Sequence, residues 1–211
     1  MTLRPCFDAL WSHAVATGDP APVWDRLDAG YGDPGRAYHG WAHVAAMLAG
    51  LDAAGTDPDF AGVAFDEVAL AVFFHDAVYD PRAHDNEASS AALFAKAAGE
   101  ASRLGTKGVE RARALILATA AHAASPDPAT RLLIDLDLAI LGAAPEAYAA
   151  YARATRREYA HVPDALWRLG RGAVLRGFLQ RERIFQSRFH ADRFEAPARA
   201  NIAGELKALE G

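Results

Sequence analysis

The chain is poor in several features that would assign it to a class at once. It contains a single cysteine, Cys6, so an internal disulfide is excluded and a reducing compartment is expected. No apolar run approaches the roughly 18 residues that a membrane helix needs. The first residues also lack a basic stretch followed by an apolar one, so no secretory signal is expected. These absences predict a cytoplasmic protein without a membrane span.

Positive charge and strand-forming residues are scarce as well. The chain has 22 Lys and Arg against 27 Asp and Glu, a formal net charge of -5, which gives no electrostatic reason to bind bulk nucleic acid. Runs of Val and Ile are few and alanine is frequent, which favours helices over strands. A length of 211 residues suits one domain. We therefore predict an all-α fold, a compact single-domain helical bundle over residues 1–211.

Glycine and proline punctuate the chain and divide it into helical segments. Asp85 is a plausible N-cap, and Pro145 sits where the first turn of a helix accepts proline. The predicted segments span about 3–16, 22–31, 38–54, 65–79, 85–105, 108–123, 130–141, from 145 onward, 163–189 and 197–209. The connections are short, and no linker divides the chain.

The dipeptide His75-Asp76 is the most informative feature. It follows a segment, from Val68 to Phe74, that is apolar on every side of a helix, and such a helix is buried. A buried carboxylate is costly unless it is paired or binds a metal, and imidazole with carboxylate is a ligand set for a divalent cation. The alternative is a satisfied core histidine whose aspartate caps the helix end.

Two further segments offer ligands on helix faces. His39 and His43 are four residues apart and so share a face, with His43 nearer the apolar arc and His39 at the rim of the site. In the later segment Asp137 falls within the arc of apolar residues, whereas Asp135 points away from it. We therefore predict Asp137 as a ligand and Asp135 as a solvated group or an outer hydrogen-bond acceptor.

Glu87 and His122 have two interpretations each. An acidic residue in a first helical turn is favoured by the helix dipole alone, which explains Glu87 without a site. His122 either ends a helix or belongs to the site.

The order of these pieces resembles the HD superfamily of metal-dependent phosphohydrolases, and within it a small bacterial group described as predicted HD-superfamily hydrolases. The resemblance covers most of the chain from residue 36 onward. The matching pieces are Arg36-x-Tyr38-His39-x-x-x-His43, Phe73-Phe74-His75-Asp76-Ala77-Val78-Tyr79-Asp80, Asp85-Asn86-Glu87-x-x-Ser90-Ala91, Ala118-Thr119-x-x-His122, Asp135-Leu136-Asp137-Leu138-x-Ile140-Leu141-Gly142, Gly170-Arg171-x-x-Val174-Leu175-x-x-Phe178-Leu179 and Ala198-Arg199-x-Asn201-Ile202.

The resemblance implies a helical domain of the HD type, with a metal-binding core over about residues 36–142 and further C-terminal helices over about 143–211 packed on it. It implies a divalent ion (Mn, Fe, Co, Ni, Zn or Mg) held by His43, His75, Asp76 and Asp137. The implied reaction is hydrolysis of a phosphoester in a nucleotide or another small phosphorylated molecule. The chain lacks the additional histidines of binuclear cyclic-nucleotide phosphodiesterases, although His122 offers a ligand for a second ion.

Roles follow as hypotheses. Asp76 is predicted to ligate the ion and accept a proton, and Glu87 is the next choice as general base. The segment after the dyad, Ala77-Val78-Tyr79-Asp80, lacks the Glu-Asp pair of the alarmone hydrolases, which argues against a pyrophosphohydrolase. The remaining predicted site residues are His39 as a further catalytic group and Arg36, Asn86 and His122 as phosphate-binding groups.

Three alternatives stay open at this point. In the first, the chain is a non-catalytic metal-binding or nucleotide-binding module that regulates a partner. In the second, its polar core groups form a hydrogen-bonded network without metal. A homodimer through an apolar face of the early or C-terminal helices is also open. The arginines of the C-terminal segments are read as solvated helix faces: Arg168, Arg171, Arg176, Arg181 and Arg183.

Overall fold

The fold is all-α, as the composition predicts. A computed structural model describes residues 3–16, 18–99 and 102–210, and within these ranges no strand occurs. The ten α-helices are α1 Arg4–Leu10, α2 Ala21–Tyr31, α3 Trp41–Ala54, α4 Phe65–Phe74, α5 Asn86–Ala98, α6 Gly105–Ala118, α7 Pro128–Leu138, α8 Pro145–Glu158, α9 Asp164–Gln180 and α10 Arg188–Glu210. A π-helical turn follows α1 at Trp11–Val15, and 3-10 turns lie at Pro58–Phe60 and Ala139–Gly142.

Helix α4 lies at the centre of the larger hydrophobic core. Its residues 70–74 are fully buried, as a helix without a polar face requires. Helices α1, α3, α5, α6 and α7 surround it. A second apolar cluster joins the end of α7 to α8, α9 and α10. Helix α7 contributes to both clusters and so connects the C-terminal helices to the larger core.

The helices nearest the predicted site are shorter than the sequence pattern indicates. Helix α3 begins at Trp41, not Tyr38, because Gly40 is extended. Helix α4 ends at Phe74, five residues before the predicted end. The guanidinium of Arg36 binds the backbone carbonyls of Asp76 and Ala77 at 2.6 and 3.3 Å, and so satisfies acceptors just beyond α4. His39 and Asp76 therefore lie in turns, and the prediction that His39 shares a helix face with His43 is wrong.

The C-terminal segments also divide differently. The predicted helix over 163–189 is wrong, because α9 stops at Gln180 and a turn leads into α10 at residue 188. Two carboxylates hold that turn: Glu195 accepts from the backbone nitrogens of Ile184 and Phe185, and Asp135 accepts from those of Gln186 and Ser187. The next helix was predicted to begin at residue 197, but α10 passes through that proline without a break.

Two smaller boundaries differ. Helix α5 ends at Ala98, before its predicted end near residue 105, and residues 100 and 101 lie outside the described ranges. Helix α6 ends at Ala118, five residues before its predicted end, so His122 lies beyond it.

In the described part of the chain, no helix combines the length and apolar character that crossing a bilayer requires.

Candidate functional site

Three separate elements bring a group of metal-ligand atoms together. His43 comes from the first turn of α3, His75 from the end of α4 and Asp137 from the last turn of α7. Each offers one ligand atom, and these atoms all lie within 4.8 Å of one another. The two Nε2 atoms are 3.1 Å apart, and Oδ1 of Asp137 lies 3.1 Å from Nε2 of His43 and 4.0 Å from that of His75. Both histidines are buried. This trio can hold a metal ion.

The orientation of His75 suits a ligand. Its Nδ1 lies 2.9 Å from the backbone carbonyl of Val72, one turn back in α4, and donates its hydrogen to that oxygen. The Nε2 atom of the neutral ring then faces the trio as a lone pair. Metal-binding histidines commonly have their second ring nitrogen held by a carbonyl in this way.

Asp76 lies beside this group. Its Oδ2 is 3.1 Å from Nε2 of His75, although it is not one of the three residues that come within 4.8 Å of each other. Burial alone would lower the pKa of His75, but the charge of Asp76 and its hydrogen bond to the ring outweigh burial and raise that pKa to about 9. Burial opposes ionisation of Asp76, and the charge of His75 nevertheless holds the pKa of this carboxyl far below its usual range.

The second oxygen of Asp137 is held by His122. The Nε2 atom of His122 lies 2.7 Å from Oδ2 of Asp137. Burial disfavours the charged form of Asp137, but the hydrogen bonds from His122 and His43 keep the pKa of the carboxyl well below its ordinary value. His122 has a positive φ of 45°, which is uncommon for a residue with a side chain and costs about 1–3 kcal/mol. The backbone is thus strained at His122, the residue whose ring holds the candidate metal ligand Asp137.

His39 has a carboxylate partner that the sequence did not indicate. Its Nδ1 lies 2.6 Å from Oε2 of Glu158, the last residue of α8. Glu158 also accepts hydrogen bonds from the backbone nitrogens of Tyr38 and His39 and from the hydroxyl of Tyr79, whose ring stacks on the imidazole. Burial alone would lower the pKa of His39, but the hydrogen bond to Glu158 and the charge of Asp76 raise it. This pairing fixes the ring and makes it more basic.

A cavity of about 660 Å³ opens above these groups. Asp76, Asp137, His39 and His122 belong to its polar lining. Its apolar and aromatic lining includes four residues of α9: Leu166, Trp167, Val174 and Phe178. The volume falls within the usual range for small-molecule sites.

Charge in the cavity is mostly negative or neutralised. Among the described lining residues, Arg171 is the one arginine or lysine. Its guanidinium forms a two-point pair with Glu205 at 2.8 and 3.1 Å and donates to the Tyr151 hydroxyl. Glu87 lines the cavity and has no ion pair with the described residues. The cavity therefore presents few free cations to a ligand.

The predicted phosphate-binding residues separate into two groups. His122 lines the cavity, as does Asn86, but the amide of Asn86 bonds through both its oxygen and its nitrogen to the backbone of Asp80. Arg36 is not part of the lining, because its guanidinium faces the turn after α4 and lies over the rings of Tyr31 and Tyr79. The guanidinium of Arg36 holds the turn that carries Asp76, and the assignment of Arg36 as a phosphate-binding residue stays a prediction.

Asp135 is not solvated, and that expectation is wrong. It is fully buried and accepts hydrogen bonds from the backbone nitrogens of Gln186 and Ser187 and from the Ser187 hydroxyl. Burial raises the pKa of Asp135 to about 6, against the effect of these hydrogen bonds. Asp135 faces the C-terminal cluster and Asp137 the metal-ligand group, because residues two apart on a helix point in different directions.

Sequence reasoning missed Glu158 and the tyrosines around it, since nothing in the local pattern separates Glu158 from an ordinary charged residue at a helix end.

In comparisons with protein-family models, curated proteins and solved structures, nothing matches this chain. The description of the site therefore rests on its own geometry.

Proposed function

We propose that this chain is a metal-dependent phosphohydrolase acting on a small phosphorylated molecule, and that it belongs with the HD superfamily it resembles. The observation that carries the proposal is the trio of His43, His75 and Asp137, whose ligand atoms lie within 4.8 Å of one another beneath a cavity. Two imidazoles and a carboxylate suit a borderline divalent cation. The Nε2 atom of His75, which faces the trio, fits the same role.

The metal would be held by these three residues, with Asp76 as a fourth ligand from its place beside His75. A divalent ion in such a site supplies Lewis-acid chemistry, which lowers the pKa of water and neutralises charge on a phosphoryl group. His122 holds Asp137 in position through the second carboxylate oxygen. The ligand set accommodates Mn, Fe, Co, Ni, Zn or Mg and does not select among them.

His39 is the best-supported acid–base group. Glu158 orients its ring and raises its pKa, and the ring lines the same cavity as Asp76 and Asp137. An imidazole so placed can take a proton from water or return one to the leaving group. Glu87, which lines the cavity without an ion-pair partner, remains the alternative base.

The cavity favours a substrate with one phosphoryl group and an apolar or aromatic body. Its aromatic wall suits a base or another ring. A triphosphate requires several unpaired cations, and Arg171 is already neutralised by Glu205. A nucleoside monophosphate or another small phosphomonoester meets both conditions.

The test is a screen of the purified protein, loaded in turn with each of the six metals, against nucleoside mono- and triphosphates, other phosphomonoesters and an aryl phosphate. We expect phosphate release from monoesters, loss of release in Asp76→Asn, and unchanged release in Asp52→Asn, which alters an exposed carboxylate on α3. Stoichiometric metal without turnover of any ester would contradict the proposal and favour a non-catalytic metal-binding module. No metal binding at all would favour a purely structural hydrogen-bonded network.

A further inference from the structure

A second cavity, of about 640 Å³, lies next to His122, whose carbonyl accepts from the lining residue Arg181. It is formed by the turn before α7 and the turn between α9 and α10. Its charged lining consists of Arg131, Arg181, Arg183 and Glu182, a formal charge of +2 in a chain whose net charge is -5. Positive charge is thus concentrated in this cavity, whereas the rest of the molecule is acidic.

None of the three arginines forms an ion pair with the described residues. Arg131 uses one nitrogen on the carbonyl of Pro126, and its Nε is buried without a hydrogen-bond partner in the described part of the chain. Arg181 donates to the carbonyl of His122 at 2.8 Å and lies over the ring of Phe178. Arg183 has no hydrogen bond to any residue in the described ranges. Most of the fifteen or so donors on these side chains are therefore available.

The cavity walls are braced before any ligand arrives. Gln186, from the turn between α9 and α10, donates to the carbonyl of Ala123 and accepts from the backbone nitrogen of Ser125. These two bonds join the turn before α7 to the turn that carries Arg181 and Arg183. A site that is held together in advance loses less entropy when it binds a ligand.

We propose that this cavity binds a small phosphorylated anion and that the metal centre responds to its occupancy. Arginine forks match phosphate oxygens in geometry and in charge. His122 is the physical link, because its carbonyl accepts from Arg181 while its ring holds the second oxygen of Asp137. Helix α7 is a second link, since it carries Arg131 near its start and Asp137 near its end, about 9 Å along the axis.

The binding test uses sulfate as a phosphate mimic on metal-free protein, where the carboxylates of Asp76 and Asp137 repel anions from the metal-ligand group. We expect saturable binding by calorimetry, weakened at least about tenfold in Arg183→Gln and unchanged in Arg188→Gln, which alters an exposed arginine on α10. Arg183 is exposed, so its replacement does not threaten folding. Absence of saturable binding, or equal binding by both variants, would overturn the site.

The coupling test follows Co²⁺ affinity through the visible absorption of the bound ion, with sulfate or with chloride at equal ionic strength. We expect sulfate to change the Co²⁺ dissociation constant at least about fivefold. The change should disappear in Arg183→Gln, whose metal-ligand group is intact. An identical sulfate effect in that variant would mean direct ion pairing in solution and would overturn the coupling. Neither test depends on phosphohydrolase activity, so failure there and failure here are distinguishable.

Discussion

The Nε2 atoms of His43 and His75 lie 3.1 Å apart in the interior of the protein. Two imidazole lone pairs at this distance repel each other unless a proton or a cation lies between them. Because Nδ1 of His75 is engaged with the carbonyl of Val72, its Nε2 is the ring atom that faces both Nε2 of His43 and, at 3.1 Å, Oδ2 of Asp76. The close approach of these two histidines from separate helices therefore requires a proton on one of the rings or a cation between them.

Metal binding should stabilise the fold measurably. We expect about one divalent ion per chain at the trio, and free metal at 100 times its dissociation constant should add about 2.7 kcal/mol to the free energy of unfolding. Asp137→Asn should weaken binding by more than the roughly 10- to 100-fold typical of removing an outer hydrogen-bond partner. Elemental analysis and chemical denaturation with and without chelator measure both effects. A free energy of unfolding that changes neither with chelator nor with added metal would contradict the metal site.

Asp76 and His39 should separate metal binding from catalysis. Asp76→Ala should lose both metal and phosphate release, because its carboxylate is proposed as a ligand. His39→Gln should keep metal and lose about 10²- to 10⁴-fold in kcat, the usual contribution of an acid–base group. Metal content and turnover are measured on the same preparations. Stoichiometric metal in Asp76→Ala would remove Asp76 from the ligand set.

Glu158 should tune the pH dependence of the reaction through His39. Since Glu158 raises the pKa of His39, Glu158→Gln should move the limb of the pH–rate profile that reports His39 to lower pH. It should also reduce kcat about 10- to 100-fold, because the ring loses the group that orients it. Glu146→Gln, an exposed change in the first turn of the same helix, is the matched control. A lower rate with an unmoved profile would show that Glu158 acts on structure alone.

His190 should make the fold sensitive to acid. Burial lowers the pKa of His190 to about 4, from the ordinary 6.5. The neutral ring therefore favours folding above pH 6.5, and this contribution, about 3 kcal/mol, is lost as the pH falls toward 4. Asp135 opposes the trend, because its raised pKa of about 6 makes protonation below that pH favourable to the folded state.

The comparison of wild type with His190→Asn measures this contribution together with the change it causes at Asp135, because Oδ2 of Asp135 lies 3.6 Å from Nδ1 of His190. The destabilisation caused by the substitution should shrink as the pH falls from 7 to 4, as measured by urea unfolding. His161→Asn, which changes an exposed histidine, is the control. A cost of His190→Asn that stays constant with pH would contradict the assignment.

Gly142 allows α10 to approach the turn that follows Asp137. A Cβ atom there would lie 2.5 Å from Cβ of Phe194 and 2.7 Å from its carbonyl oxygen. Gly142→Ala should cost about 1–3 kcal/mol in the free energy of unfolding, because backbone cannot move aside as a side chain can. Gly204→Ala, in α10 with nothing within 4 Å, should instead stabilise by about 0.5–1 kcal/mol. Equal effects of the two changes on urea unfolding would contradict this packing.

The predictions that succeeded rest on burial and local pattern. The apolar stretch before His75 indicated a buried helix, and α4 is buried on all sides. The helical wheel chose Asp137 over Asp135 as the better ligand, and Asp137 is the one of the two that lies beside His43 and His75. That reasoning assumed a single apolar face on α7, whereas α7 packs against two clusters, so Asp135 is buried as well.

The amino-acid sequence by itself determined the all-helical class, because hydrophobic periodicity acts within a few residues. The cost of burying polar groups and the resemblance to the HD superfamily predicted His43, His75, Asp76 and Asp137 as ligands, and the tertiary structure brought three of the four together, with Asp76 beside His75. Only the tertiary structure decided that Glu158 pairs with His39 across 119 positions and that Arg36 binds the Asp76 turn. Such partnerships depend on how helices pack. Packing brings together side chains that are far apart in the sequence, and the local sequence around one of them gives no information about the other.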